Sequence, residues 1–168
     1  AFDALLQLQL GMLMLRNRSR AQTAYTMDPD TDLTPFYASL PFAPTNAQKR
    51  SIAEICGDLC RTVPANRLLQ GDVGSGKTAV AAAACYFTCK NGFQSALMAP
   101  TEILATQHYH TLEGFLSPLG IRVGLLTGSL PAKEKRRIRT ALQAGELDVL
   151  VGTHALIQKD TVFPALGL

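Results

Sequence analysis

Gly71-Asp72-Val73-Gly74-Ser75-Gly76-Lys77-Thr78 fits G-x-x-x-x-G-K-[ST], a loop whose backbone amides cradle nucleotide phosphates. Glycine at 71, 74 and 76 permits positive φ and close approach, so successive N–H groups can turn inward around an anion. Lys77 supplies a mobile cation for the β- and γ-phosphates, and the Thr78 hydroxyl can ligate Mg2+. Residues 71–78 are therefore the expected cofactor-binding loop, with Lys77 and Thr78 as its catalytic members and Thr78 as the metal contact. Leu68-Leu69-Gln70 reads as the end of a short buried strand. Ala79 to Ala84 is strong helix-forming sequence placed to aim its positive dipole end at phosphate. The competing account is a chance glycine-rich turn with a solvated lysine, and the order strand, loop, helix argues against it.

Beyond the loop, apolar runs at 95–99, 123–126 and 148–151 alternate with helical stretches near 101–116 and 131–144. Strands each followed by a helix imply βαβ crossovers, hence an α/β fold with a parallel sheet covered by helices on both faces. Each strand ends in a polar or glycine-bearing motif. The first is followed by Pro100-Thr101-Glu102 with Gln107 and His108, the second by Thr127-Gly128-Ser129, the third by Gly152-Thr153-His154. In a parallel sheet all carboxyl ends share one edge, which is where open α/β folds bind ligands. Hydroxyls, glycine amides and histidine commonly hold nucleic-acid phosphates without reading sequence. Singly, each motif is unspecific: Thr127-Gly128-Ser129 also suits a turn, and Pro100-Thr101 suits a helix entry with Thr as its cap. His108, His110 and His154 have no metal-ligand spacing. The run Lys133 to Arg139 is basic on a helix, and a solvated face is set against a nucleic-acid contact.

Upstream of the loop, helical spacing runs from Thr45 to Arg61, with a cap at Thr45 or Asn46. Phe42 and Gln48 stand close by, an aromatic face and a donor–acceptor amide that could receive an adenine. Spacing alone favours core packing by Phe42 and an exposed Gln48. Residues 21–44, punctuated by Asp28-Pro29-Asp30, Thr34-Pro35 and Leu40-Pro41, read as a connecting segment rather than a second core. The opening 1–20 has helical rhythm. Its apolar part is too short to span a membrane, and its arginines lie on the wrong side for a secretory signal.

Composition sets the outer bounds. With 168 residues, 47% hydrophobic and 17% charged, the chain is long enough for one domain with a real core. The net charge of +3 allows a polyanionic partner without demanding one. Four cysteines, Cys56, Cys60, Cys85 and Cys89, read as reduced thiols of a cytoplasmic protein. A four-thiolate metal site is weighed against the commoner reading of small buried hydrophobes, which the spacing favours.

Taken together, the loop at 71–78, Met98 to Ala105 with Gln107 and His108, Leu125 to Ser129, and Val151 to Gln158 resemble the RecG branch of superfamily 2 DNA helicases. The resemblance implies a RecA-like ATP-binding domain, ATP and Mg2+ as cofactors, and ATP-driven translocation on branched or forked duplex DNA. It further implies a monomeric cytoplasmic, nucleoid-associated bacterial protein without membrane attachment, with a single-stranded-DNA-binding protein among its partners. By the same likeness, 1–20 is a helix from an upstream domain, 21–44 a connecting segment, and 45–168 a partial motor domain. Phe42, Thr45 and Gln48 match the adenine-side motif, with Pro44 where an aliphatic residue is expected. Pro100, Thr101, Gln107, His108, Thr127, Gly128, Ser129, Gly152, Thr153 and His154 fall to the DNA side.

The departure is at the carboxyl end. The resemblance implies that a strand beginning near Leu166 leads into an acidic Asp-Glu-x-His motif, and the sequence stops before it. The sheet is thus expected to be incomplete there, and the 168-residue chain alone is expected not to turn over nucleotide, since phosphoryl transfer needs metal and base positioned together. Two other classes stay open: a kinase built on the same loop, and a non-catalytic nucleotide- or DNA-binding module.

Overall fold

A computed structural model of the chain describes residues 24–168; the helix expected over 1–20 lies outside the described residues. At its centre runs β3 (Val149–Gly152), flanked on both sides by parallel partners in the order β1-β3-β2. β1 is Ser95–Met98 and β2 is Val123–Leu126. Ser95 and Val123 both face Val149 in register, and Met98 and Leu126 both face Gly152, so the three carboxyl ends are level.

Alternation along β3 sends its side chains to two different cores. Val149 and Val151 join Val80, Ala83, Ala105 and Leu112, whereas Leu150 joins Leu126, Leu142 and Leu156. The first set comes from helices α3 (Lys77–Lys90) and α4 (Glu102–Leu116), and Leu142 comes from α5 (Ala132–Gln143). Helices therefore cover both faces, as the alternation of strand and helix predicts. Val149, Leu150 and Val151 are all fully buried, each contributing about 1.5–3 kcal/mol.

Two further helices precede the loop, α1 (Thr34–Ser39) and α2 (Asn46–Leu59). The segment 21–44 is more than a connection: Met27 and Phe36 are buried in the same core as Ile52 and Tyr86. Asn91, at the end of α3, fastens this segment by accepting from the Asp28 N–H at 2.6 Å and donating to Thr31 Oγ1 at 2.9 Å. Its prolines and aspartates hide the signal, because a single helical turn has no periodicity to show.

The strand expected at Leu68–Gln70 is absent. Residues 64–70 form no regular element, with Leu68 87% exposed and only Leu69 turned toward the core. A strand exists through its ladder partners, and no described strand lies beside 68–70. The stretch is tethered instead by Arg67, whose Nε donates to Asp58 Oδ2 at 2.7 Å and which also pairs with Glu54. Chain from Ala165 to Leu168 occupies the free edge of β1. Gln94 N–H donates to Ala165 O at 2.7 Å, Gly167 N–H to Gln94 O at 2.8 Å, and Ala96 N–H to Leu168 O at 2.8 Å. A parallel pairing thus begins where the sequence leads one to expect the next strand.

Candidate nucleotide and nucleic-acid interface

The phosphate loop enters α3 through Gly76, which sits in the left-handed region at φ +80° as the helix N-cap. No side chain caps α3, and while the Ala79 N–H already donates to the Gly76 carbonyl at 3.0 Å, the N–H groups of Lys77 and Thr78 are left for an anion, which the helix dipole favours. Gly74 is also left-handed, and at Gly71 a Cβ would lie 2.8 Å from the Ser75 hydroxyl, which would have to turn away. Lys77 folds back over the loop, its Nζ donating to the carbonyl oxygens of Gly71 at 2.6 Å and Asp72 at 2.7 Å. Thr78 follows on the first turn of α3, half-buried. This cradle of glycine amides, one flexible ammonium and one hydroxyl fits a magnesium-bound triphosphate.

Gln48 reaches the loop directly. Its Nε2 donates to Ser75 O at 2.9 Å, while its Oε1 accepts from Thr45 N–H at 2.8 Å in a capping box at the start of α2. Phe42 is exposed, with one edge against Phe115 at a centroid distance of 6.4 Å. The arrangement favoured by spacing alone, a buried Phe42 and a free Gln48, is therefore reversed.

α3 turns at Asn91-Gly92 straight into β1 and packs on it. Cys89, in the last turn of α3, reaches the Asp148 carbonyl at the start of β3 at 3.7 Å, so α3 runs back along the sheet and points its N-terminus toward the edge where the strands end. That edge carries Pro100 and Thr101 after β1, Thr127 to Ser129 after β2, and Thr153 and His154 after β3. Thr101 Oγ1 caps α4 by accepting from Leu104 N–H at 3.3 Å. Gln107 is exposed and His108 half-buried on the same helix. His154 is exposed at the head of a 3-10 turn over His154–Ile157. Gly152 has no room for a side chain, since a Cβ would lie 2.1 Å from Leu126 O.

Glu102, from the motif after β1, and Lys135, from the basic run, hold the Thr127–Ser129 loop in bonds that the sequence does not show. Glu102 Oε1 accepts from Ser129 N–H at 2.8 Å, and Lys135 Nζ donates to Gly128 O at 2.5 Å. The Ser129 hydroxyl and N–H hold the Glu102 carboxyl below the usual carboxylate range. Their signal depends on strand order, because β3 lies between the strands that carry Glu102 and Ser129. The basic run is partly spent internally: besides Lys135, Arg137 pairs with Glu134 at 2.5 Å, and Arg139 reaches Asp160 at 3.5 Å and Gln158 Oε1 at 3.0 Å. Lys133 and Arg136 are exposed.

Two further carboxylates are committed to internal partners. Glu113 accepts from the Tyr109 hydroxyl at 2.5 Å, which pushes that phenol up to about 12, and Asp148 pairs with Arg122 at 2.7 Å. All four cysteines are free thiols; burial pushes Cys56, Cys85 and Cys89 up to about 12. Among the described residues no group of three or more His, Cys, Asp or Glu could hold a metal ion, and no helix is long and apolar enough to cross a membrane.

Residues 45–165 match the DEAD/DEAH box helicase family. The chain belongs to that family. It is 47% identical over 169 residues to an ATP-dependent DNA helicase RecG of Bacillus subtilis (strain 168), covering 99% of this chain and 25% of the relative. It is 46% identical over 167 residues to an ATP-dependent DNA helicase RecG of Aquifex aeolicus, covering 99% of this chain and 21% of the relative. A solved structure described as RecG bound to a three-way DNA junction superimposes with a TM-score of 0.89 at 44% identity, covering 99% of this chain and 23% of that one. The helicase fold is thus the RecA-like one, and the chain spans about a quarter of the length of the curated relatives it matches.

Proposed function

We propose that this chain is the ATP-gripping and DNA-facing part of a double-stranded DNA translocase that remodels forked or branched DNA. The observation that supports it is the shared direction: the three strand tips are level in register, and α3, whose last turn reaches the start of β3, runs back toward those tips with the phosphate loop at its head. In this reading residues 71–78 take the triphosphate, Lys77 the β- and γ-phosphates, and Thr78 the Mg2+ ion. Phe42 and Gln48 take the adenine. Pro100, Thr101, Gln107, His108, Thr127, Gly128, Ser129, Gly152, Thr153 and His154 carry the phosphate backbone without reading bases. When bound, Mg2+ supplies charge neutralisation across the phosphates. The protein acts as a cytoplasmic, nucleoid-associated monomer, with a single-stranded-DNA-binding protein as a candidate recruiter.

The deciding experiment is ATP hydrolysis by the full-length protein with and without a three-way junction. The expected result is strong stimulation by the junction that Lys77→Ala abolishes. Hydrolysis indifferent to DNA would favour a kinase-like enzyme instead.

A further inference from the structure

We infer that Glu102 is a positioning residue that pre-sets the Thr127–Ser129 loop for DNA phosphate. This role rests on the proposed reading of the strand-tip loops as the DNA-facing surface. Glu102 lies in the first turn of α4, after β1, while Ser129 follows β2, with β3 between the two strands. The helix itself packs on β3 and β2, so its first turn stands beside the β2 tip, and the Glu102 carboxylate accepts the Ser129 N–H at 2.8 Å. Gly128 passes so close that a Cβ there would stand 3.0 Å from Glu102 Oε1. From the α5 side, Lys135 Nζ holds the Gly128 carbonyl at 2.5 Å. The loop backbone is clamped between a carboxylate and an ammonium from two helices, and Thr127 Oγ1 and Ser129 Oγ rest 3.3 Å apart.

A clamped loop needs little ordering when a phosphate arrives, and pre-organisation of this kind raises affinity without adding a contact. Charge alone argues the other way. A carboxylate on a DNA-facing rim repels phosphate, so if Glu102 acted only through its charge, removing it would tighten binding. Positioning and repulsion therefore predict opposite signs, which makes the role testable. Glutamine keeps an oxygen that accepts the Ser129 N–H and sheds the charge; alanine sheds both.

The test uses the full-length protein, a fluorescent three-way junction at low and high salt, and amide hydrogen exchange at Ser129, for wild type, Glu102→Gln and Glu102→Ala. The expected result is that Glu102→Ala weakens junction binding about tenfold and speeds Ser129 exchange, while Glu102→Gln stays within about twofold of wild type in both. Affinity for a fluorescent ATP analogue, unchanged in both variants, shows that the domain remains folded. Equal or tighter junction binding by Glu102→Ala, or Ser129 exchange that does not change, overturns the role. If wild type itself shows no salt-sensitive junction binding, the DNA-facing reading fails first and the positioning role falls with it.

Discussion

Gln48 ties the start of α2 to the phosphate loop, donating from Nε2 to the Ser75 carbonyl at 2.9 Å while its Oε1 accepts the Thr45 N–H at 2.8 Å. One amide thus serves a helix cap and a nucleotide loop at once, and any movement of the loop is felt at α2. Gly76 is part of the same arrangement, since a Cβ there would meet Gln48 Nε2 at 2.3 Å.

Gln48→Ala removes the loop contact and half of the capping box. A neutral hydrogen bond of about 1 kcal/mol corresponds to a roughly fivefold loss of nucleotide affinity, with a further stability loss of about 1 kcal/mol from the weakened cap. Titration calorimetry with a non-hydrolysable ATP analogue reads the first and thermal melting the second. Affinity equal to wild type would show that the contact is incidental.

Gly152→Ala tests the level register of the strand tips. A Cβ 2.1 Å from the Leu126 carbonyl oxygen has to push β2 away from β3 at their carboxyl ends. The expected cost is about 3 kcal/mol of stability, read by chemical denaturation, together with loss of junction binding. A variant as stable as wild type would mean that the two strands can separate there freely.

Much of this fold is legible from the sequence, and the exceptions have physical causes. β1, β2, β3 and α4 emerge from apolar runs and helical spacing because each buries several residues against one sheet, and α5 emerges from its helical composition, with Leu142 buried and Ile138 packed beside it. The Leu68–Gln70 stretch misleads because three residues of suitable composition do not make a strand without a neighbour, and no described strand lies beside them. Met27 and Phe36 are masked by the prolines and aspartates around them, although both are buried. Phosphate-loop residues are readable because their chemistry is contiguous in sequence. Glu102 and Lys135 are not, because their bonds to Ser129 and Gly128 depend on strand order rather than spacing.

Asp148 gives a pH signature at the opposite edge of the sheet. Burial pushes its carboxyl up, but hydrogen bonds from the Arg122 side chain and N–H, together with the guanidinium charge, outweigh burial and hold it below the ordinary value. A carboxyl lowered in the folded state contributes stability that is present above its unfolded value of about 3.9 and lost as pH falls through the folded one. The gap in Tm between wild type and Asp148→Asn should therefore be widest near neutral pH and close below about pH 4. A gap that stays constant down to strongly acid pH would contradict this assignment.

Amide hydrogen exchange of the full-length protein, with and without a three-way junction and an ATP analogue, tests the shared rim most directly. The expected result is joint protection of 100–108, 127–129 and 152–154 by DNA and of 71–78 by nucleotide, with 91–94, 120–122 and 145–148 at the far edge unaffected. Protection of the far edge by DNA, with the strand tips unchanged, would contradict it.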